Sequence, residues 1–244
     1  TATNKRERNA KTDMFRYEQK YLINWQQYRE LRQVLNVMSV HNRYAGENGE
    51  YMIRSLYFDD MYRSAYHEKQ DGIYQRKKYR VRVYGCSDHV IHLECKHKEG
   101  AYIYKESCSL TRTEYEELLS GEPMFLLKKE NQMAKEFCVD FRTKLLKPDV
   151  IVDYEREPFV FDAGTVRITF DKHVRAVSVG NSIFSADAPS LHVLPEDSLI
   201  LEIKFTGYLP ERIQQIFKVR NLNQCSASKF CLCADKIREP VTGM

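Results

Sequence analysis

The sequence predicts an α+β fold in which an antiparallel β-barrel forms a polar tunnel surrounded by amphipathic helices. Three observations lead there. Many short runs rich in aromatic and β-branched residues alternate with period two and are interrupted by a few helical stretches. Several of those runs set acid and base on one face: Glu18-Gln-Lys20, Glu94-Cys-Lys96 and Glu202-Ile-Lys204, joined by Arg80-Val-Arg82 and Arg167-Ile-Thr-Phe-Asp171. Alternate strand residues point to opposite faces, so each set projects from one side while mostly apolar neighbours occupy the other. One such strand reads as the solvated face of a half-buried sheet. Five or more in phase favour a closed barrel, with charge converging inside and apolar faces turned out against helices.

Taken in order, strands are expected over 14–23, 51–58, 77–84, 89–97, 101–110, 149–154, 157–162, 165–171, 173–179 and 199–205, with Asp162-Ala-Gly164 as a hairpin turn. Asn24 is placed to cap a helix over 25–38, on which Trp25, Tyr28, Leu31, Leu35 and Met38 form one stripe. Thr111-Arg-Thr-Glu114 has the form of a capping box before a helix over 115–119 that ends at Gly121. Residues 130–147 read as a helix stopped by Pro148, and Pro210 opens another over 211–219. Ser226 or Ser228 starts a last helix through Ile237. With no repeat and no linker, one domain over 14–238 is expected, between a polar lead-in at 1–13 and a tail at 239–244.

Composition excludes several classes. Hydrophobic residues are 43% and charged residues 30%, which suits a globular protein and not a disordered one. A net charge of +4 is too mild to point to nucleic acid by itself. The bases alternate with apolar residues as if enclosed, whereas a nucleic-acid surface needs exposed bases interleaved with stacking aromatics. Seven cysteines show no disulfide framework, and Cys231-Leu-Cys233 lacks metal-site spacing, so free thiols in a reducing cytoplasm are expected. No apolar run approaches the ~18 residues of a membrane span, and whether there is a membrane partner stays open.

The in-phase residues are Lys20, Arg80, Arg82, Lys96, Lys98, Arg156, Arg167 and Lys204 against Glu18, Glu94, Asp171 and Glu202. Buried cations are costly without counter-charge, and these acids are too few to balance the bases. A bound polyanion would balance them, with Arg supplying bidentate forks, Lys point charges, and the carboxylates a hold on Mg²⁺ or Mn²⁺. A lone Glu-x-Lys pair is usually a silent surface ion pair, and it is the repetition that argues otherwise. Ser228-Lys229 adds a helix start with an ammonium. His92 shares the face of Glu94 and reads as an ordinary polar histidine. From Arg54 to Asp59 the phase stays open, with either Arg54 or the set Ser55, Tyr57 and Asp59 facing inward. Because crowded cations repel one another until an anion arrives, losing Arg80 or Arg82 is predicted to leave stability intact while phosphate affinity falls.

The ordered series Arg16-Tyr-Glu-Gln-Lys-Tyr21, Ser55-Leu-Tyr-Phe-Asp59, Tyr79-Arg-Val-Arg82, Leu93-Glu-Cys-Lys96, Tyr154-Glu-Arg156, Val166-Arg-Ile-Thr169, Leu201-Glu-Ile-Lys204 and Ser228-Lys-Phe230 resembles a known family. It is similar to the catalytic domain of vacuolar transporter chaperone (VTC) polyphosphate polymerases, within the CYTH-like triphosphate tunnel metalloenzymes, from about Phe15 to Ile237. Each motif alone is weak, but their order and spacing are specific. The resemblance implies a tunnel that binds a triphosphate and a divalent metal, Mn²⁺ or Mg²⁺. Lys20, Arg80, Arg82, Lys96, Arg156, Arg167 and Lys229 fall where the family has phosphate ligands. Lys98 falls where it presents a basic or histidine side chain, and Glu202 where it has its principal metal-binding acid, with Glu18 and Glu94 as further acids. Two departures stand out: Arg16-x-Glu18-x-Lys20 replaces the superfamily's ExExK, and Ser226 occupies a position where a base is expected.

The implied activity transfers the γ-phosphate of ATP to a growing polyphosphate chain, primed by orthophosphate or pyrophosphate, with Lys20, Arg80, Arg82 and Glu202 as the catalytic set. The alternatives are a tunnel triphosphatase and a non-catalytic polyphosphate-binding module. The SPX sensor and membrane segments of eukaryotic members are missing from this sequence, and a stand-alone bacterial-type enzyme is the expectation.

Overall fold

A computed structural model describes residues 16–38, 49–161, 166–218 and 222–239. The expected turn at 162–164, the lead-in and most of the tail lie outside these residues. The elements run β1 (Tyr17–Asn24), α1 (Trp25–Met38), β2 (Tyr51–Asp59), α2 (Ser64–Gln70), β3 (Gln75–Tyr84), β4 (Ser87–Glu99), β5 (Tyr102–Leu110) and α3 (Arg112–Leu119). A 3₁₀ turn (Pro123–Lys128) follows, then α4 (Gln132–Thr143), β6 (Lys147–Phe161), β7 (Val166–Val177), β8 (Ser190–His192), β9 (Ser198–Phe205), α5 (Glu211–Lys218) and α6 (Lys229–Arg238).

Among the described residues nine strands form one antiparallel sheet in the order β1-β9-β7-β6-β2-β3-β4-β5, with β8 added to β7. The two ends of this path meet at a single bridge, where Arg16 and Ile103 exchange backbone hydrogen bonds of 3.2 Å. The sheet is therefore curled almost into a barrel, but among the described residues its seam is held by this bridge and not by a ladder, which departs from the fully closed barrel expected. No helix among the described residues is long and apolar enough to cross a membrane.

Local chemistry explains most element boundaries. Asn24 accepts from the Gln27 amide at 2.8 Å and the Gln27 side chain accepts from the Asn24 amide at 3.0 Å, which caps α1 reciprocally. Thr111 and Glu114 form the anticipated capping box. Ser228, not Ser226, caps α6 by accepting from the Cys231 amide. The helix expected over 130–147 is shorter, because Asn131 caps its start and the chain leaves it at Leu145, whose φ of 54° is left-handed. The strands expected at 149–154 and 157–162 are one strand, β6, and those at 165–171 and 173–179 are likewise one, β7. The break in the alternation is a β-bulge at His173, with φ 49°, opposite the register shift between Asp153 and Glu155.

The hydrophobic core lies outside the curl. Tyr79, Val81, Val83, Leu93 and Cys95 pack with Phe137 of α4, while Ile168, Phe170, Leu201, Ile203 and Phe205 pack with Leu31 and Leu35 of α1. The inner face is apolar at one end only, where Ile53, Val150, Val152 and Ile200 receive α6 through Phe230, Cys231 and Cys233. On β9, Ile200, Glu202 and Lys204 share that inner face, so it passes from apolar to charged within four residues.

Candidate active site

Beyond α6 the inner face encloses a cavity of about 1020 Å³. Register brings the charged rows together. On β3 the row is Arg76, Lys78, Arg80 and Arg82, and across the ladder Arg76 meets Lys98, Lys78 meets Lys96 and Arg80 meets Glu94. On the far side Lys20 pairs with Glu202 and Glu18 with Lys204, while Arg167 of β7 also pairs with Lys204. Of the residues expected to bind phosphate, Lys20, Arg80, Arg82, Lys96, Lys98, Arg156, Arg167, Lys204 and Lys229 all line the cavity. So do Glu18 and Glu202. Among the described residues, fourteen Lys and Arg side chains face two carboxylates there.

Glu94 does not line the cavity. It is 1% exposed, its oxygens taken by Arg80 at 2.6 and 2.7 Å, by Lys105, and by Arg82 at 3.7 Å. Glu94, expected as a further acid for metal, is thus paired with cations and acts as the buried counter-charge of Arg80. Asp171, fully buried, plays the same part for Arg156, which binds it through Nε at 2.6 Å and Nη2 at 2.7 Å. Lys229 pairs with the same carboxylate and lies 4.0 Å from Glu202. These pairings use part of each guanidinium and fix its plane, so the remaining donors face the cavity without searching rotamers.

The open phase of β2 is resolved by its neighbours. Arg54 turns outward and pairs with Asp153 at 2.9 Å beneath the loop carrying Ser185. Ser55 accepts from Arg82 at 3.3 Å, and Tyr57 accepts from Arg80 at 2.8 Å. After the register shift between Tyr57 and Phe58, Asp59 ends β2 opposite Lys147 and accepts from the amides of Ala65 and Tyr66, which starts α2. His92 lies outside the cavity, 3.5 Å from Ser109. Not singled out from sequence as site residues were Arg16, Lys69, Arg76, Lys78 and Lys105. The signal for two of them was present, since Arg76 and Lys78 extend the period-two row of Arg80 and Arg82.

Charge density moves the titrations. Burial opposes ionisation of Glu18, but Lys20, Lys96 and Lys204 overcome it and hold the carboxyl below its usual range. Glu202 is likewise held low against burial by Lys204, Lys20, Lys229 and Arg156. Both are anions at any physiological pH. Burial brings Lys78 down to about 7, helped by Lys96, Lys20 and Lys69. Burial also brings Lys204 down to about 8 despite Glu202 and Glu18.

Glu18 and Glu202 sit on paired strands with the Lys20 ammonium between them, at 3.2 Å from Glu18 and 3.7 Å from Glu202. No group of three or more His, Cys, Asp or Glu side chains among the described residues could hold a metal ion by itself. Two ionised carboxylates fit a hard cation that takes its other ligands from phosphate oxygens and water, the usual habit of Mg²⁺.

A family model of the VTC domain matches residues 15–237. No curated protein matches the sequence significantly. Among solved structures, a provisionally named adenylate cyclase from Bacillus halodurans is similar, at 16% identity over 87% of this chain and 92% of that one, with a TM-score of 0.52. Another is a provisionally named adenylyl cyclase from Hippeastrum described as having a dominant triphosphatase activity. It shares 11% identity over 91% of this chain and 95% of that one, with a TM-score of 0.54. At these identities the likeness is one of fold.

Proposed function

The chain belongs to the VTC domain family, and on that premise we propose that it is an ATP-dependent polyphosphate polymerase of the triphosphate-tunnel type. Family membership supports an enzyme of polyphosphate or triphosphate chemistry. The single observation that carries the reading is the cavity lined, among the described residues, by fourteen cationic residues and two carboxylates. Such an excess of positive charge is compensated by a polyanion several phosphates long.

In this reading a terminal oxygen of the acceptor, either polyphosphate or an orthophosphate or pyrophosphate primer, attacks the γ-phosphorus of ATP in line. The new P–O bond forms as the bond to the β-bridging oxygen breaks, and ADP leaves with that oxygen. Phosphoryl transfer of this kind needs position and charge neutralisation and no protein nucleophile. Arg80 and Arg156, set by Glu94 and Asp171, present fixed donors to the phosphates. Lys20, Arg82, Lys96, Lys98 and Arg167 complete the lining, and Lys204 and Lys229 bring charge to the region of Glu202. Mg²⁺ or Mn²⁺ held by Glu202 and Glu18 would supply further neutralisation between phosphates.

The same ligands would serve a triphosphatase, the reading favoured by the fold shared with the Hippeastrum protein. Incubating the purified protein with γ-labelled ATP, Mn²⁺ and pyrophosphate separates them. A polymerase yields a ladder of labelled polyphosphate with matching ADP. Labelled orthophosphate with no ladder would establish the triphosphatase, and neither product with retained polyphosphate binding would leave a binding module.

A further inference from the structure

The cation row of β3 is preceded, at the bend just before the strand, by an aromatic residue in the same alternation. Tyr74, Arg76, Lys78, Arg80 and Arg82 follow one another at period two, and all five line the cavity. Successive members of such a row are spaced by roughly 7 Å along the strand, so an aromatic ring stands one step outside a line of phosphate-binding charges. Tyr74 is 67% exposed, although it belongs to the cavity wall. The other aromatics of the wall are engaged: Tyr57 stacks on Phe230, Tyr104 on His97, and Tyr154 lies under Lys229 and Arg156.

The ring of Tyr74 is also held in place from behind. Gly100, in the turn between β4 and β5, donates its amide to the Tyr74 carbonyl at 2.9 Å. A Cβ on Gly100 would come within 2.7 Å of the Tyr74 ring, so the ring lies directly on the glycine backbone. Gly100 has a φ of +57°, a conformation that other residues adopt only with strain. Glycine thus provides both the turn and the seat for the ring. Around this rim Lys69, Arg76 and Lys98 have no carboxylate within ion-pair distance among the described residues, whereas Glu18 and Glu202 lie deeper.

We propose that Tyr74, seated on Gly100, is the platform on which the base of a nucleoside triphosphate stacks, with the triphosphate running inward along Arg76, Lys78 and Arg80. The inference rests on the nucleotide-dependent reading above and adds what would let the tunnel prefer a nucleotide over a bare triphosphate. The ordering fits the electrostatics: the base-proximal phosphate meets cations without acids, and the terminal phosphates reach the region of Glu18 and Glu202. Stacking on a single ring tolerates any base, so ATP and GTP are bound alike.

The test is calorimetric titration of wild type, Tyr74→Ala, Tyr74→Phe and Gly100→Ala with ATP and with inorganic tripolyphosphate. Tyr74→Ala is expected to weaken ATP roughly tenfold, with tripolyphosphate unchanged within a factor of about two. Tyr74→Phe should bind both as wild type does, because it keeps the ring. Gly100→Ala should follow Tyr74→Ala, because it unseats the ring. If Tyr74→Ala leaves ATP affinity intact, or weakens ATP and tripolyphosphate equally, the platform is wrong while the tunnel reading survives. If wild type binds neither ligand, the tunnel reading itself falls.

Discussion

Glu202 lies where four cations converge. It is 4% exposed, pairs with Lys204, and stands 3.7 Å from both Lys20 and Arg156 and 4.0 Å from Lys229. Removing its charge acts twice. The cations lose the anion that offsets their mutual repulsion, and any divalent ion loses its main ligand. Glu202→Gln keeps the shape and is expected to melt lower than wild type without ligand, by on the order of 2–3 kcal/mol. Its turnover should fall at least tenfold, with loss of the response to Mn²⁺. Melting curves and metal titrations of activity check both effects. If metal dependence persists unchanged, the ligand role passes to Glu18, because Glu94 is enclosed by Arg80, Arg82 and Lys105.

The ladder between β3 and β4 carries two kinds of cation that sequence alone could not tell apart. Arg80 holds buried Glu94 through two contacts, so Arg80→Ala strands a carboxylate with Lys105 and a more distant Arg82. For this residue the geometry argues for a different outcome from the intact stability expected from sequence. Arg80→Ala should lose on the order of 3 kcal/mol of stability as well as triphosphate affinity. Lys98, across the ladder from Arg76, has no carboxylate within 4.0 Å among the described residues. Burial lowers its pKa first, and Arg76 adds to the effect against the pull of the more distant Glu18. Lys98→Ala should melt at or above wild type while the rise produced by tripolyphosphate shrinks. Thermal melts with and without tripolyphosphate would contradict this if Lys98→Ala melted lower yet kept the full rise.

Across the whole molecule the excess charge makes ligand binding a proton-linked event. Lys78 titrates at about 7 and Lys204 at about 8, against an ordinary value of 10.5. Between those values and 10.5 the unfolded chain holds more protons than the folded one, so the stability of the free protein should rise with pH from about 7 to about 10. Affinity runs the other way. As pH climbs through about 7 and about 8 these lysines lose the charge that attracts phosphate. Tripolyphosphate should therefore bind several-fold more weakly at pH ~9 than at pH ~7. Its binding near neutrality should take up protons, which calorimetry in buffers of different ionisation enthalpy measures. Lys78→Met should lose part of that uptake, and equal uptake in this variant would show that Lys78 enters the site already charged.

Alternation alone determined which face of β1, β3, β4, β7 and β9 carries charge, because period two is a property of the backbone and survives any packing. It also placed the caps at Asn24 and Thr111, whose partners are three residues away. Everything that depended on partners distant in the chain had to wait for the tertiary structure. Arg54 could be assigned outward only once Asp153 was beside it, and Glu94 could be recognised as a counter-ion only when the Arg80, Arg82 and Lys105 side chains enclosed it. His173 turned an apparent strand break into a bulge because the ladder to β6 continues past it. Tyr74 gained its meaning from Gly100, which the β3–β4 register and the following turn bring beneath its ring. An alternating pattern tells a side chain which way to point, but whether it meets solvent, a carboxylate or a ligand is decided by what the other strands bring to the same face.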